Sequence, residues 1–370
     1  MKSIKELTNI KGKRVLLRVD FNVPINDGKV EDDSRVKKAL PTINYLRKQG
    51  AKIVIISHIG RDPKDSLELV AKVLKHSIPV TFIPSVLGKQ VDDAIDKMKN
   101  GDVIILENLR SITGEKKNDA SFARGLSKHG DIYVNEAFPV SHRADASIVG
   151  IPKFLPSYAG LQMELEVKEL SRALVPEHPF LVIFGGSKAE TKIPLIKRYL
   201  KDADHVFVGG ALVNNFYKAK GLEIGKSVVD NDAKIPKSFL NHKKLILPDM
   251  VVVSRSRNVA IKVEDVKENN QILDIGIPSI NRLAPLIHKA KLILWNGPMG
   301  WYENDYVEAT DALVKLLINT KAKVIIGGGD TAVFVEKKKL AKNFTFVSSG
   351  GGATLEFLSK GTLPGIKALK

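Results

Sequence analysis

Short apolar runs rich in strand formers recur along this chain, and each breaks at a glycine or a polar residue before a stretch with helical spacing. That alternation constrains the fold more than any other feature. Residues 14–23 (RVLLRVDFNV) read as a buried strand that delivers Asp20 and Asn22 to its end, and a helix follows from Arg35 (RVKKALPTINYLRKQ). Residues 52–56 form the next apolar strand, closed by SHIGRD at 57–62. The order repeats with a helix near 67–76, a strand at 78–83, a helix near 88–99 and a strand at 103–106 that ends in ENLR. A further helix precedes a strand at 131–134, which runs into NEAF and then SHRADAS. Strands alternating with helices predict a parallel sheet covered on both faces. Ligands of such sheets bind beyond the carboxyl ends of the strands. Asp20, Asn22, His58, Arg61, Arg110 and Arg143 all fall just past a strand or in the loop after one.

Residues 157–174 (SYAGLQMELEVKELSRAL) have helical spacing and no interior proline, and predict a helix joining two α/β halves. The second half restarts at LVIFGGSKAETKI, residues 181–193: an apolar strand, two glycines, and the opening of a helix. Paired glycines let a ligand approach bare amides. A helix N-terminus offers unpaired N–H groups and partial positive charge to an anion. Lys188 and Lys192 are spaced to share one face there, although lysines in a first turn oppose the helix dipole. The stretch alone also fits a plain strand–turn–helix corner with solvated lysines. Further strands at 206–208, 245–247, 272–275, 292–295, 324–326 and 344–347 follow, and most run into glycines. The expectation is a sheet edge lined with backbone amides, as a nucleotide requires.

At 370 residues the chain is long enough for two cores, and it has no cysteine, which excludes disulfides, thiolate metal sites and cysteine nucleophiles. The first residues lack a signal-peptide core, and no apolar run reaches membrane-spanning length, so the expected location is the cytoplasm, with no membrane partner. The net charge of +17 admits nucleic acid or small polyanions as partners. Aromatic residues make up only 6%, and the basic residues are dispersed with no tail or arm, which favours a lysine-rich solvated surface with some steering of anionic substrates.

The common phosphate fingerprints are missing: no GxxxxGK[ST], no GxGxxG and no protein-kinase catalytic loop. HExxH and calcium-loop patterns are absent too. Asp330, after three glycines at a strand end, suits a single carboxylate for a nucleotide-bound magnesium, or a helix N-cap. Glu303 suits ribose hydroxyls, or an exposed loop acid.

Nine motifs in one order then carry a resemblance that spans nearly the whole chain. RVDFNVP, DDSRVKKALPTI, SHIGR, ENLR and NEAF…SHRADAS in the first half, with GGSKAETK, WNGPMGWYE, GGGDT and SSGGGATLE in the second, resemble the phosphoglycerate kinase family. The resemblance implies two doubly wound, Rossmann-like parallel-sheet domains with a connecting helix and a hinge cleft between them. The expected bounds are 1–156 for the triose domain, 157–174 for the helix, 175–352 for the nucleotide domain and 353–370 for a segment returning to the first. It implies reversible phosphoryl transfer between 1,3-bisphosphoglycerate and ADP, giving 3-phosphoglycerate and ATP, with Mg2+ carried as MgATP or MgADP, by a monomer.

By the same resemblance Asp20, Asn22, Arg35, His58, Arg61, Arg110 and Arg143 hold the triose. Gly185, Lys188, Lys192, Gly209, Gly210, Asn296, Pro298, Glu303, Gly328, Gly329, Asp330 and Thr331 hold the nucleotide, with Asp330 toward the metal. Lys188, Arg35 and Gly351, the last at the opening of a helix, are implied at the transferring group. The chain departs from the family pattern at Asp62, at SITGE after ENLR, at Glu136, Pro139, Val140 and Asp145, and at the serine of GGSK. Competing expectations are an inactive basic nucleotide- or nucleic-acid-binding protein on the same fold, and a dehydrogenase, which the missing GxGxxG disfavours.

Overall fold

The computed structural model describes residues 1–254 and 259–369. These divide into two compact units, residues 1–168 with 362–370, and residues 169–361. Lys370, the last residue of the expected returning segment, lies outside the described residues.

Six parallel strands form the sheet of the first unit, in the order Thr81–Ile83, Val103–Leu106, Lys52–Ile56, Arg14–Arg18, Ile132–Asn135, Ser157–Ala159. Val15 and Leu17 sit opposite Ile53 and Ile55 on one side, and opposite Ile132 and Val134 on the other. Strands buried on both faces have no solvated side, so they read as continuous apolar runs. Their core takes in Ile43 and Leu46 of the Ser34–Lys48 helix and Val70 and Leu74 of the Glu68–Lys75 helix. The chain leaves Arg14–Arg18 toward one edge of the sheet and later returns to its other side at Ile132–Asn135. That reversal opens a crevice at the carboxyl ends of these two strands.

The second unit repeats the plan, in the order Leu245–Ile246, His205–Val208, Phe180–Phe184, Leu292–Asn296, Lys323–Gly327, Phe346–Val347. Every residue of Phe180–Phe184 and of Leu292–Asn296 is buried. The reversal here lies between those two strands, so Gly185 and Gly297 flank its crevice.

Three expectations need correction. Ser157–Ala159 is an edge strand paired with Tyr133–Asn135, and the helix begins only at Leu161 and runs to Ser171. Its first turn is held by Glu136, whose carboxylate accepts N–H bonds from Gln162 (3.0 Å) and Met163 (3.2 Å) and the Thr42 hydroxyl, so no helical turn is needed ahead of Gly160. Ile272–Ile275 belongs to neither parallel sheet. It pairs antiparallel with Met250–Val253, which also pairs with Ala260–Lys262, and a four-residue apolar run does not reveal which sheet it will join. The Gly352–Lys360 helix belongs to the second unit, and the part grouped with the first begins at Thr362. Gly365 there donates its N–H to Ser141 O at 2.8 Å, and a Cβ on it would lie 2.8 Å from the Ser141 side chain.

Candidate active site

The crevice of the first unit gathers charge. Asp20, just past the Arg14–Arg18 strand, is buried and pairs with the half-exposed Arg35 from the first turn of the Ser34–Lys48 helix. Asn22 accepts the Gly60 N–H at 2.8 Å, and Arg110 donates to Gly60 O, so the loops after three strands are tied together. His58, at the end of Lys52–Ile56, is 2% exposed. Its pKa falls far below the usual histidine value because burial disfavours the imidazolium and the Arg18, Arg110, Arg143 and Arg35 guanidiniums repel it. Burial and Arg143 likewise lower Arg110. Six of the seven expected triose residues are thus joined by direct bonds or by mutual electrostatic effect. Arg61, one residue beyond Gly60, is exposed, and the contacts that join the others do not include it.

Sequence reasoning missed the support under this cluster. Arg18 was read only as part of RVDFNVP, yet it is fully buried, and a charge inside VLLRV signals a buried partner. Its Nε donates to Ser147 Oγ at 2.8 Å, and its Nη2 meets His58 Nδ1 at 3.1 Å. Ser147 in turn donates its hydroxyl and, at 2.9 Å, its N–H to the buried Glu115 carboxylate. Nothing in the spacing of Glu115 and Ser147 points to this pairing.

The second unit carries a pocket of about 280 Å³ lined by Gly186, Gly210, Pro298, Met299, Trp301 and Asp330, among others. Gly210, Pro298, Glu303 and Asp330 were expected there, whereas the apolar wall of Val228, Leu273 and Ile275 was not, because each belongs to an ordinary apolar stretch; Met299 completes that wall from within WNGPMGWYE. Asp274 was missed as well. It is buried in the pocket wall, accepts the Ile275 and Ala309 N–H groups at 2.8 and 3.0 Å, and is pushed by burial up to about 7.

The glycines of this crevice divide into two kinds. Gly185, Gly186 and Gly209 donate their N–H groups to Asn296 O, Pro298 O and Phe184 O at 2.7–2.8 Å, so these amides are not open to an anion. A Cβ on Gly185 would lie 2.2 Å from Pro298 O, so this glycine permits backbone contact. Asn296 bonds Gly327 O and Thr331 accepts the Gly297 N–H, both at 2.7 Å, which fixes the neighbouring loops. Gly329, Gly351 and Gly352, in contrast, face open space. They begin the Gly329–Lys337 and Gly352–Lys360 helices, whose first N–H groups suit an anion. Gly351 has φ +50, a conformation that L side chains rarely adopt.

Lys188 and Lys192 do not share a solvated face. Lys188 is the exposed N-cap of the Ala189–Asp202 helix, while Lys192 is buried. Burial lowers Lys192 to about 8, with Asp330 opposing the shift and Lys188 adding to it. Asp330 is exposed at the first turn of its helix, and no group of three or more metal-ligating side chains occurs among the described residues. A lone carboxylate fits a magnesium ion that arrives on a nucleotide and keeps much of its water.

This arrangement has close relatives. The family model for phosphoglycerate kinase matches residues 4–361. The chain belongs to the phosphoglycerate kinase family. It is 41% identical to the phosphoglycerate kinase of Pseudothermotoga lettingae, over 99% of this chain and 98% of that one. It is 42% identical to that of Coprothermobacter proteolyticus, over 100% and 98%. The solved structure of phosphoglycerate kinase from Coxiella burnetii aligns with a TM-score of 0.85 at 34% identity, over 99% of this chain and 98% of that one. The enzyme from Pyrococcus horikoshii aligns at 0.87 and 32%, over 100% and 98%. The two six-stranded parallel sheets are therefore the family's fold, and the chain is a kinase. No helix among the described residues is long and apolar enough to cross a membrane.

Proposed function

We propose that this kinase transfers a phosphoryl group reversibly between 1,3-bisphosphoglycerate and ADP, yielding 3-phosphoglycerate and ATP, with the triose on the first unit and the nucleotide on the second. The observation that carries the reading is the set of four arginines acting on one neutral, buried histidine at a sheet's carboxyl end. So much positive charge in one crevice is suited to a small, multiply charged anion.

The residue types fit this chemistry. In the ATP-consuming direction the acceptor is a carboxylate, already ionised, so no general base is needed and His58 can remain neutral. Catalysis reduces to alignment and to neutralising charge on the transferring group. Asp20, Asn22, Arg35, His58, Arg61, Arg110 and Arg143 bind the triose in this reading. The 280 Å³ pocket takes the nucleoside, with Glu303 at its rim. Lys188, Lys192 and the open amides at Gly329 and Gly351 take the phosphates. Asp330 would hold the magnesium, which neutralises phosphate charge when bound. The reading includes a cytoplasmic monomer acting on small molecules; the dispersed basic residues and 6% aromatic content support this over a nucleic-acid partner.

A coupled assay for ATP-dependent phosphorylation of 3-phosphoglycerate tests the reading, run beside filter binding with DNA and RNA. Turnover without nucleic-acid retention is expected. Nucleic-acid binding with no turnover would replace it with the binding-protein alternative.

A further inference from the structure

A lysine at the N-cap leaves a helix start without an acceptor, since an ammonium only donates. The Ala189–Asp202 helix begins that way, at Lys188, whose side chain makes no cap bond. The acceptor comes from 40 positions further along the chain: Asp230 Oδ2 takes the Glu190 N–H at 3.1 Å. Glu190 is the second residue of the helix, and its N–H is one that an ordinary N-cap side chain would satisfy. The Asp230 carboxylate also offsets Lys188 and Lys192, which oppose the helix dipole at this end. This helix start is therefore already capped by an anion of the chain itself, unlike those at Gly329 and Gly352.

Asp230 is itself held. The Asn215 side chain grips its backbone, accepting the Asp230 N–H at 3.3 Å and donating to Asp230 O at 2.7 Å. The neighbouring Asn214 donates to Val228 O at 2.9 Å. Both asparagines are buried in the Leu212–Ala219 helix, where this residue type is disfavoured and a buried amide needs partners. The same helix is tied to the glycine turn, because Leu212 donates its N–H to Gly186 O at 2.7 Å. Ser227 anchors the start of the gripped segment by accepting the Ile272 N–H at 2.8 Å. Val228 lines the 280 Å³ pocket, so one short piece of chain both walls that pocket and caps the lysine-bearing helix. The cap bonds backbone, and so does not use up the Lys188 ammonium.

We propose that Asp230 is a positioning residue for phosphoryl transfer: held by Asn215, it caps the helix that begins at Lys188 and so fixes where that ammonium meets the transferring group. Asp230 acts through Lys188 and does not itself need to touch a substrate. Lys192 depends less on the cap, because burial holds it separately. This deepens the function proposed above and rests on it.

The test is a kinetic cycle on the full-length protein in the coupled assay, with Asp230→Ala, Lys188→Ala and the double variant. Asp230→Ala should lower kcat about ten- to a hundredfold, as for a small misplacement at the reacting centre, with KM for MgATP and for 3-phosphoglycerate nearly unchanged. Asp230→Asn keeps an acceptor and should recover most of that loss. In the Lys188→Ala background the Asp230→Ala change should cost no more than about twofold, because residues that act as one unit do not add. Amide hydrogen exchange at Glu190 should be faster in Asp230→Ala than in wild type, whatever the substrate. An equal loss of kcat in both backgrounds, or unchanged exchange at Glu190, would overturn the proposal alone. So would a lower KM for MgATP with kcat unchanged, which would make the carboxylate a stand-in for phosphate. Wild-type protein without turnover would overturn the function proposed above, and this proposal with it. Asp230 is half-exposed. If Asp230→Ala does not fold, Asp230→Ser, with its shorter side chain, makes the same comparison.

Discussion

Lys188 and Lys192 stand four residues apart in very different surroundings, and that difference separates their roles. Lys188 is exposed and is the residue proposed at the transferring group, whereas Lys192 is buried with its Nζ 3.2 Å from where a Cβ on Gly186 would lie. Lys188→Ala should therefore lower kcat by about two to three orders of magnitude, as for loss of one transition-state donor, with little change in nucleotide affinity. Steady-state kinetics with fluorescence titration of ADP checks this, and a kcat within a few-fold of wild type would move the role to Lys192. Glu136 makes a prediction of another kind. Burial pushes it up to about 8, against an ordinary value near 4.5, even though Thr42 and two helix N–H groups donate to it. Between those values the folded state binds more protons than the unfolded state, so this group's contribution to stability falls as pH rises from about 4.5 to about 8. Melting curves over that range should fall more steeply with pH for wild type than for Glu136→Gln. Parallel curves would mean that the carboxylate is ionised throughout.

The strand–glycine–helix corners border the crevice proposed for the nucleotide, and their glycines are not equivalent. Gly185→Ala would place a Cβ 2.2 Å from Pro298 O and 2.5 Å from Gly297 O, atoms of backbone that cannot swing away. Overpacking of that sort costs about 1–3 kcal/mol, which in units of this size should appear as a Tm lower by several degrees. Gly329→Ala meets nothing within 4 Å and sits in a helix first turn, so Tm should hold while KM for MgATP rises. Calorimetry on the two variants, with kinetics on the second, separates a packing glycine from a ligand-facing one. Equal losses of stability would erase the distinction. The Leu161–Ser171 helix shows the same economy of parts. Glu136 fits over its first turn only because Gly160 has no side chain, since a Cβ there would lie 1.9 Å from Glu136 Oε2. The departure from the family pattern at Glu136 thus falls on a helix cap, although its own N–H donates to Arg18 O at 2.8 Å.

At the scale of the whole chain, the residues proposed for the triose all lie in the first unit and those proposed for the nucleotide all lie in the second. Arg143→Ala should then raise KM for 3-phosphoglycerate and leave KM for MgATP nearly unchanged. Arg143→Lys should recover only part of the loss, because an ammonium lacks the guanidinium's paired donors. A matching rise in both constants would contradict the division of labour. The net charge of +17 bears on the approach of substrates from a distance. Raising ionic strength with a non-binding salt should reduce kcat/KM more than kcat, since screening weakens the long-range field and leaves the bound complex alone. A kcat/KM insensitive to such salt would leave the basic surface without a role in steering.

The amino-acid sequence by itself determined the fold class and most of the loops that carry chemistry, for physical reasons. A strand buried on both faces must be apolar throughout, so LVIF at 181–184 and VIIL at 103–106 announce themselves, and the glycine or polar residue that ends each run marks the sheet's carboxyl edge. Asp20, His58 and Arg110 were placed at that edge in this way, whereas Gly351 was singled out by the family resemblance. Tertiary structure alone decided which apolar run joins which sheet, because Ile272–Ile275 looks like any other core strand until its antiparallel partner is known. It decided that Gly185 serves packing while Gly351 faces open space, since only the neighbouring backbone tells them apart. It also decided the protonation state of His58 and the burial of Lys192. Those depend on charges and dielectric brought together from far apart in the chain: Arg18 and His58 are separated by 40 positions, and Arg18 and Ser147 by 129. Local sequence carries propensity and pattern, and it carries no record of what a side chain will face once the strands have been ordered.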